Sequence, residues 1–198
     1  MLEEFAKIGR DIFLEGMVSS HGGNLSVRVG DRILITRRGS MLGELKAGDV
    51  VETGVDKDDW GIALASSEIV VHRAIYQATS ALAVVHAHPP HAVVLSLLQD
   101  EIIPIDSEAS YLLHRVPVVT AEKTIGSEEV ARIVPEALQG YKIVMLRGHG
   151  SFAIGQFLEE AYQWTSVLEA SCRMLYLMRA LEAKSREYRK GSDSYGKW

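Results

Sequence analysis

Two histidines separated by a single residue follow an apolar run, and their spacing suits the binding of a metal ion. His86 and His88 flank Ala87 directly after the segment 81–85, which has the composition of a buried strand. Side chains two residues apart on a strand point to the same face, so the two imidazoles can converge on one cation. Taken alone, the pair is equally compatible with two histidines that bind no metal.

A third histidine strengthens the metal interpretation. His149 lies between Gly148 and Gly150, immediately after a predicted core strand at 143–146. Flanking glycines let the backbone approach a ligand closely and adopt unusual dihedral angles. Catalytic zinc takes three protein ligands and keeps a fourth position open. The sequence therefore predicts a zinc site formed by His86, His88 and His149.

The other histidines are weaker candidates. The order H-x-H-x-x-H at 86–91 is similar to that of metallo-β-lactamases, but those have Asp before the last His, where this chain has Pro90. A two-metal hydrolase would therefore lack a ligand. If Pro89 begins a helix, His91 turns away from the strand pair and takes a packing or supporting role. For the remaining three we favour a packing interpretation: His21, His72 and His114.

An anion site is the second chemical feature. Ser66 and Ser67 precede a predicted helix at 68–79, where hydroxyls and free backbone N–H groups can bind an anion. Simple helix capping explains the serines equally well. Two other segments can contribute an amide, positive charge and tight turns: Gly23 with Asn24, and Arg37 and Arg38 with Gly39. A solvated turn remains an equal alternative for the arginine pair.

Glu68 is the candidate acid/base. A carboxylate beside the metal can move a proton to and from substrate carbon. The alternative is that it complements the dipole of the predicted helix in its first turn, which would be the better explanation without the histidines.

Hydrophobic periodicity predicts the elements that position these residues. Alternating or continuous apolar segments predict strands at 25–29, 33–36, 49–53, 81–85, 102–105, 116–119, 143–146 and 151–154. Helical spacing predicts helices at 2–18, 68–79, 89–98 and 127–138, and a long final helix whose apolar stripe runs over 158–176. This order predicts an α/β fold with a mostly antiparallel sheet.

Composition bounds the function. The 198 residues suit one domain, and we expect it at 1–183 with a polar C-terminal tail at 184–198. The net charge of -5 argues against nucleic acid as a partner. Cys172 is the single cysteine, which excludes an intrachain disulfide. Because no signal segment or membrane-spanning run is evident, we expect a cytoplasmic enzyme without a membrane partner.

With these motifs in place, the sequence resembles the class II aldolase/adducin-head family. The resemblance runs from the first helix to about residue 180. It is carried by five segments in the family's order and spacing: residues 22–28 (GGNLSVR), 35–36 (IT) with Gly39, 66–68 (SSE), 86–91 (HAHPPH) and 147–150 (RGHG).

The resemblance implies a three-layer α/β/α sandwich and a homotetramer with active sites between subunits. It also implies one Zn²⁺ per subunit on His86, His88 and His149, with Glu68 as the catalytic acid/base. The phosphate of a small sugar substrate would be bound by Gly23, Asn24, Gly39, Ser66 and Ser67. The implied reaction is reversible cleavage of a ketose 1-phosphate, such as L-fuculose 1-phosphate, into dihydroxyacetone phosphate and a short aldehyde through an enediolate.

Some features depart from the family pattern. Arg38 stands where such aldolases usually have a small hydroxylated residue, so it is a further candidate for binding phosphate, or for binding a substrate carboxylate. The segment 105–108 (IDSE) also differs from what this type of aldolase leads one to expect, and Glu108 is a candidate for entering the site. Tyr111 and Tyr195 are both candidates for the proton donor to the aldehyde oxygen. Three enzyme alternatives stay open within the family, a 4-epimerase, a dehydratase and a decarboxylase, as does a non-catalytic adducin-like interaction module.

Overall fold

The fold is built around a single eight-stranded sheet. The computed structural model describes residues 1–182, so the predicted tail at 184–198 and Tyr195 lie outside the described residues. The strands are β1 (Asn24–Val29), β2 (Arg32–Thr36), β3 (Val50–Gly54), β4 (Ala83–Ala87), β5 (Glu101–Ile102), β6 (Val116–Val119), β7 (Ile143–Leu146) and β8 (Gly150–Gly155). Their order is β3-β2-β1-β4-β8-β7-β6-β5, and all neighbours are antiparallel except β6 and β7.

Six α-helices cover the sheet in the part of the chain that the structure describes. They are α1 (Leu2–Leu14), α2 (Ile69–Ala78), α3 (Pro90–Ser96), α4 (Ser107–Leu112), α5 (Glu128–Leu138) and α6 (Leu158–Ala180). Short 3-10 turns occupy Leu42–Glu44, Ala47–Asp49 and Trp60–Ala63. Within residues 1–182, no helix has the length and apolar character needed to cross a bilayer.

The helices form two layers, because each face of the sheet is apolar. On one face α1, α3, α4 and α6 enclose a core that includes Phe5 and Leu168. On the other face α2 and α5 enclose a second core that includes Ile75 and Val134. Strand β4 serves both cores, since successive side chains alternate between faces. The predicted three-layer α/β/α sandwich around a mostly antiparallel sheet is confirmed.

Three elements of the structure differ from the predicted ones. Helix α1 ends at Leu14 instead of residue 18, and Gly16 follows with φ +68°, which breaks the helical path. The strand predicted at 102–105 is reduced to β5, because Pro104 has no N–H to donate to a neighbouring strand. Helix α4 has no counterpart among the predicted elements, although Asp106 caps it by accepting from the backbone N–H of Ala109 at 2.9 Å.

A partly buried carboxylate joins α3 to α6. Glu169 of α6 accepts hydrogen bonds at 3.1 Å from the backbone N–H groups of His91 and Ala92. Its Oε1 also lies 2.6 Å from Nδ1 of His91. The first N–H groups of a helix have no partner within the helix, so this carboxylate caps α3 and fixes the element that follows the His86–His88 pair.

We expect Glu169→Ala to lower the free energy of unfolding by about 1–3 kcal/mol, because it leaves the partly buried N–H groups at the start of α3 without an acceptor. Urea denaturation monitored by circular dichroism measures the change. The matched control on the same helix is Glu159→Ala, since that exposed carboxylate only approaches Lys7 at 3.8 Å and should change stability by less than about 0.5 kcal/mol. Equal effects of the two substitutions would contradict the capping role.

Candidate active site

The three histidines predicted as metal ligands come together at one end of the sheet. His86 lies in β4, His88 directly follows that strand, and His149 lies in the turn between β7 and β8. The ring centroid of His86 is 4.9 Å from those of His88 and His149, and the latter two are 5.0 Å apart. One nitrogen from each ring lies within 4.8 Å of the others, so a single ion can contact all three.

The ring of His86 is held in one orientation by its neighbours. Its Nδ1–H donates to the backbone carbonyl of Ser151 at 2.9 Å, and the ring stacks on Phe152 at 4.2 Å. With the proton on Nδ1, the lone pair of Nε2 is free and faces Nε2 of His88 at 3.1 Å. A hydrogen bond of this kind to a backbone carbonyl is the usual way in which a metal-binding histidine is oriented.

Electrostatics keep these imidazoles neutral. Burial lowers the pKa of His86 well below its usual value, and the nearby His88 and His149 lower it further. Burial and His149 lower the pKa of His88 to about 4. Burial also lowers the pKa of His149, although the backbone of Thr124 opposes that shift. Neutral imidazole is the form that binds metal, so this donor set fits a divalent cation.

The turn that carries His149 is braced by Arg147. The guanidinium donates to the hydroxyl of Thr120 at 2.9 Å and to the carbonyl of Ser96 at 2.5 Å, and it forms an ion pair with Asp100. The hydroxyl of Ser96 in turn accepts from the N–H of Gly148 at 3.0 Å, where φ is +67°. These contacts fix a turn whose backbone conformation favours glycine.

Glu68 is a buried carboxyl group with one unsatisfied oxygen. It is 3% exposed and occupies the N-cap position of α2. Its Oε1 accepts from the backbone N–H of Gly126 at 3.0 Å, whereas Oε2 has no hydrogen-bond partner among the described residues. Burial raises the pKa of Glu68 to about 7, although the Gly126 N–H acts in the opposite direction. A group with such a pKa can both donate and accept a proton near neutral pH.

Gly126 is a site residue that the sequence interpretation missed. Its φ is +54°, and a Cβ atom there would lie 2.4 Å from the carbonyl oxygen of Ser67. The same loop, between β6 and α5, brings the backbone of Thr124 to His149. One loop thus contacts both Glu68 and the histidine cluster. In the sequence Gly126 resembles an ordinary turn residue before the helix cap Ser127, so no local signal distinguishes it.

Thr36 hydrogen-bonds to two of the predicted phosphate-binding segments, the start of β1 and the start of α2. Its hydroxyl accepts from the N–H of Leu25 at 3.1 Å, and its carbonyl accepts from the N–H of Ser66 at 3.2 Å. Asn24 is the register partner of His86 across the β1–β4 ladder. Its neighbour Gly23 has φ +72° and runs so close to β4 that a Cβ atom would lie 2.8 Å from the carbonyl oxygen of His86.

The remaining phosphate-site candidates, the serine pair at 66–67 and the arginine pair at 37–38, differ in their contacts. The hydroxyl of buried Ser66 accepts from the N–H of Glu68 at 3.3 Å, so it supports the start of α2, while Ser67 is exposed. Arg37 forms an ion pair with Asp49 at 2.7 Å. Arg38 is exposed next to Gly39 and has no ion pair within residues 1–182.

The other residues singled out in the sequence are not members of the three-histidine cluster. His91 contacts Glu169, in agreement with a packing or supporting role. His72 is fully buried, but its Nε2 contacts Asn24 at 2.6 Å, so packing alone does not describe it. The remaining candidates lie at exposed or strained positions: His21 beside Ser20, Glu108 and Tyr111 in α4, and His114 with φ 55°.

Metal binding tests the histidine cluster. We expect the metal-free protein to bind about one Zn²⁺ per chain, and His88→Ala to weaken that binding by more than about 100-fold, because one of three ligands is lost. Isothermal titration calorimetry measures both. His21→Ala is the matched control, since the only hydrogen bond of this exposed ring among the described residues is to Ser20. Equal affinities for both variants would exclude the cluster as the metal site.

Glu68 predicts a pH dependence of stability in the metal-free protein. The pKa of Glu68 is about 7 in the folded state against an ordinary 4.5, so the contribution of Glu68 to the free energy of unfolding falls as pH rises through this window, while the buried histidines contribute in the opposite direction. At 1.36 kcal/mol per pKa unit the fall is at most roughly 3 kcal/mol. Glu68→Gln removes this component, so the free energy of unfolding of the variant should rise relative to that of the wild type, by up to roughly 3 kcal/mol, as pH increases from 4.5 to 7.

Urea denaturation at several pH values measures this dependence. The control is Glu128→Gln, which alters an exposed carboxylate in the first turn of α5 and should leave the wild-type pH profile unchanged. A wild-type profile that persists in Glu68→Gln would show that the buried carboxyl is not its source.

Comparison with known proteins agrees with this geometry. The family model "Class II Aldolase and Adducin N-terminal domain" matches residues 3–176. An L-fuculose phosphate aldolase of Methanococcus maripaludis is 31% identical, over 91% of this chain and 99% of the relative. A crystal structure of l-fuculose-1-phosphate aldolase from Thermus thermophilus superposes with a TM-score of 0.87 at 36% identity, covering 93% of this chain and 97% of that one.

A relative with a different activity also matches. The 3-oxo-tetronate 4-phosphate decarboxylase of Pectobacterium atrosepticum is 28% identical over 88% of this chain and 83% of the relative. The family match and the aldolase relatives together point to a lyase, as the sequence predicts. The chain belongs to the family of class II aldolases and adducin N-terminal domains.

Proposed function

We propose that this protein is a zinc-dependent aldolase that reversibly cleaves a ketose 1-phosphate, such as L-fuculose 1-phosphate, into dihydroxyacetone phosphate and a short aldehyde. The observation that carries the proposal is one loop that contacts both the three-histidine cluster and a buried carboxyl with a pKa of about 7. The similarity to proteins named L-fuculose phosphate aldolase supports the choice of substrate.

His86, His88 and His149 would hold the metal. Three imidazole nitrogens are typical of a catalytic zinc site with room for substrate oxygens. When bound there, the ion supplies Lewis-acid stabilisation of negative charge that develops on a substrate oxygen. The protein contributes orientation, because the carbonyl of Ser151 fixes the ring of His86 and Arg147 fixes the turn of His149.

Glu68 would transfer the proton. At neutral pH a carboxyl with a pKa of about 7 is present in both forms, so it can take a proton from the substrate in one direction and return it in the other. The N–H of Gly126 holds Oε1. The unpaired Oε2 is therefore the oxygen available to the substrate.

The phosphate would be bound beside β1 and the start of α2. Asn24 can donate from its amide, and Ser66 and Ser67 directly precede a ten-residue helix, whose dipole has its positive end there. Gly23 and Gly39 allow a close approach of backbone, and both have positive φ. Arg38 adds an exposed guanidinium without an ion-pair partner in the described part of the chain, and it can pair with phosphate.

We further propose a homotetramer with the active site between subunits. Supporting this, large apolar side chains are exposed around the site: Leu97, Leu98 and Ile125. Leu97 adjoins Gly148 of the His149 turn. A neighbouring subunit that covers these side chains could also bring Tyr111 or Tyr195 to the substrate as proton donor.

A decarboxylase is the second candidate function. Arg38 favours it, because an unpaired guanidinium can bind a substrate carboxylate as well as a phosphate, and a phosphotetronate decarboxylase is among the relatives. A non-catalytic interaction module is disfavoured, because a buried carboxyl with an unpaired oxygen destabilises the fold without benefit to such a module.

The test is to incubate the zinc-loaded protein with L-fuculose 1-phosphate and with other ketose 1-phosphates, and to measure release of dihydroxyacetone phosphate with a coupled dehydrogenase. We expect release that Glu68→Gln and His88→Ala each reduce by at least about 100-fold, while His21→Ala retains the wild-type rate. Proton NMR of the same mixtures detects an epimer or a dehydrated product. For the decarboxylase, release of CO₂ from a 3-oxo-tetronate 4-phosphate is measured.

The substrate that turns over then assigns the reaction. If no ketose phosphate yields triose phosphate while zinc is bound stoichiometrically, the aldolase proposal is wrong. Release of CO₂ that depends on Arg38 would establish the second candidate in its place.

A further inference from the structure

Behind the candidate phosphate site lies a chain of four polar side chains. Nε2 of His72 is 2.6 Å from Oδ1 of Asn24, and Nδ1 of His72 is 2.6 Å from Oγ of Ser26. The same Oγ is 2.7 Å from the phenol oxygen of Tyr76. The residues come from two elements only, since Asn24 and Ser26 lie on β1 while His72 and Tyr76 lie one turn apart on α2.

These four residues are shielded from solvent. His72 and Ser26 are fully buried, Tyr76 is 1% exposed and Asn24 is 5% exposed. No carboxylate hydrogen-bonds to His72 in the described part of the chain, so the buried ring is neutral and carries one N–H. The ring therefore donates from one nitrogen and accepts at the other.

Counting donors fixes the direction of the chain. Ser26 provides the single hydrogen-bond partner of the Tyr76 hydroxyl within residues 1–182. If Tyr76 only accepted, its own O–H would be buried without an acceptor, which costs about 1–3 kcal/mol. Tyr76 therefore donates to Ser26, and Ser26 donates to Nδ1 of His72. The proton of His72 is then on Nε2 and is donated to Oδ1 of Asn24.

The direction has a consequence for the site. With Oδ1 of Asn24 occupied by His72, the NH₂ of the amide is the end left to face a ligand, and an NH₂ group attracts an anion. The opposite histidine tautomer would accept from Asn24 and leave the carbonyl oxygen as the free end, which repels an anion.

We propose that His72 is a positioning residue whose Nε2–H tautomer holds the amide of Asn24 with its NH₂ group toward the substrate phosphate. The inference rests on the proposed function insofar as the Asn24 site receives a phosphate group. The inference goes beyond the proposed function because it assigns a role to three buried residues outside the phosphate-binding set: Ser26, His72 and Tyr76.

The tautomer is measured directly by long-range ¹H–¹⁵N NMR of histidine-labelled protein, with His72→Gln identifying the signal. We expect protonated Nε2 and unprotonated Nδ1. The opposite pattern would overturn the proposal. This measurement needs no substrate, so it is independent of whether the protein is an aldolase.

Binding of inorganic phosphate to the zinc-loaded protein tests the positioning. We expect His72→Leu to weaken binding about tenfold and His72→Gln to stay within about threefold of wild type, because the glutamine amide keeps an N–H donor for Asn24. Asn24→Asp, which presents oxygen in place of NH₂, should weaken binding most. Thermal unfolding of each variant, with Ser171→Ala as a control for altering a buried hydroxyl, verifies the fold.

The outcomes separate this inference from the proposed function. Wild-type affinity for phosphate in folded His72→Leu would overturn the positioning role. So would a wild-type protein that binds no phosphate, or binding that Asn24→Asp does not affect. The aldolase proposal is decided by a different measurement, the release of triose phosphate by the wild-type protein. None of the results above predicts the outcome of that assay.

Discussion

The pairing of β4 with β1 on one side and β8 on the other is the constraint on which the rest of the site depends. In this register Asn24, His86 and Phe152 lie in one row across three strands. Neighbouring strands are about 4.7–4.9 Å apart, so a candidate anion-binding amide and a candidate metal ligand are held at a fixed separation. The tight turn after β7 then returns His149 to the same end of the sheet. A shift of one residue in this register would turn His86 to the other face of the sheet. The strand pairing therefore determines whether His86 can contact the other two histidines.

Burial gives the site its electrostatic character. The same removal from water that keeps His86 and His88 neutral raises the pKa of Glu68 to about 7. A histidine that is neutral can bind a cation, and a carboxyl whose pKa is raised toward neutral pH can exchange protons. Both effects oppose stability in the absence of a ligand, since Oε2 of Glu68 is buried without a hydrogen-bond partner among the described residues. Sites that violate the usual rules of polar burial are where function is expected.

Much of this arrangement could be predicted from local sequence. Alternation at 25–29 and the apolar run before His86 indicate the strands, and the glycines around His149 indicate a ligand at a turn. What could not be predicted depends on contacts between distant segments. His72 resembles a packing residue in the sequence because its partner Asn24 is 48 residues away. The spacing of Glu68, His72 and Tyr76 by four does, however, indicate that the three polar side chains share one face of a helix. Gly126 could not be recognised, because its role comes from the approach of Ser67, on a different segment, and not from its own neighbours.

The central claim is that three imidazoles from two separate segments bind one metal ion. Zinc-edge X-ray absorption of the zinc-loaded protein tests it most directly, because it measures which atoms surround the ion. The account predicts three imidazole nitrogens at about 2.0–2.1 Å with one or two oxygens completing the coordination. A spectrum without imidazole scattering, or one that requires a sulfur ligand, which only Cys172 or a methionine could provide, would contradict it.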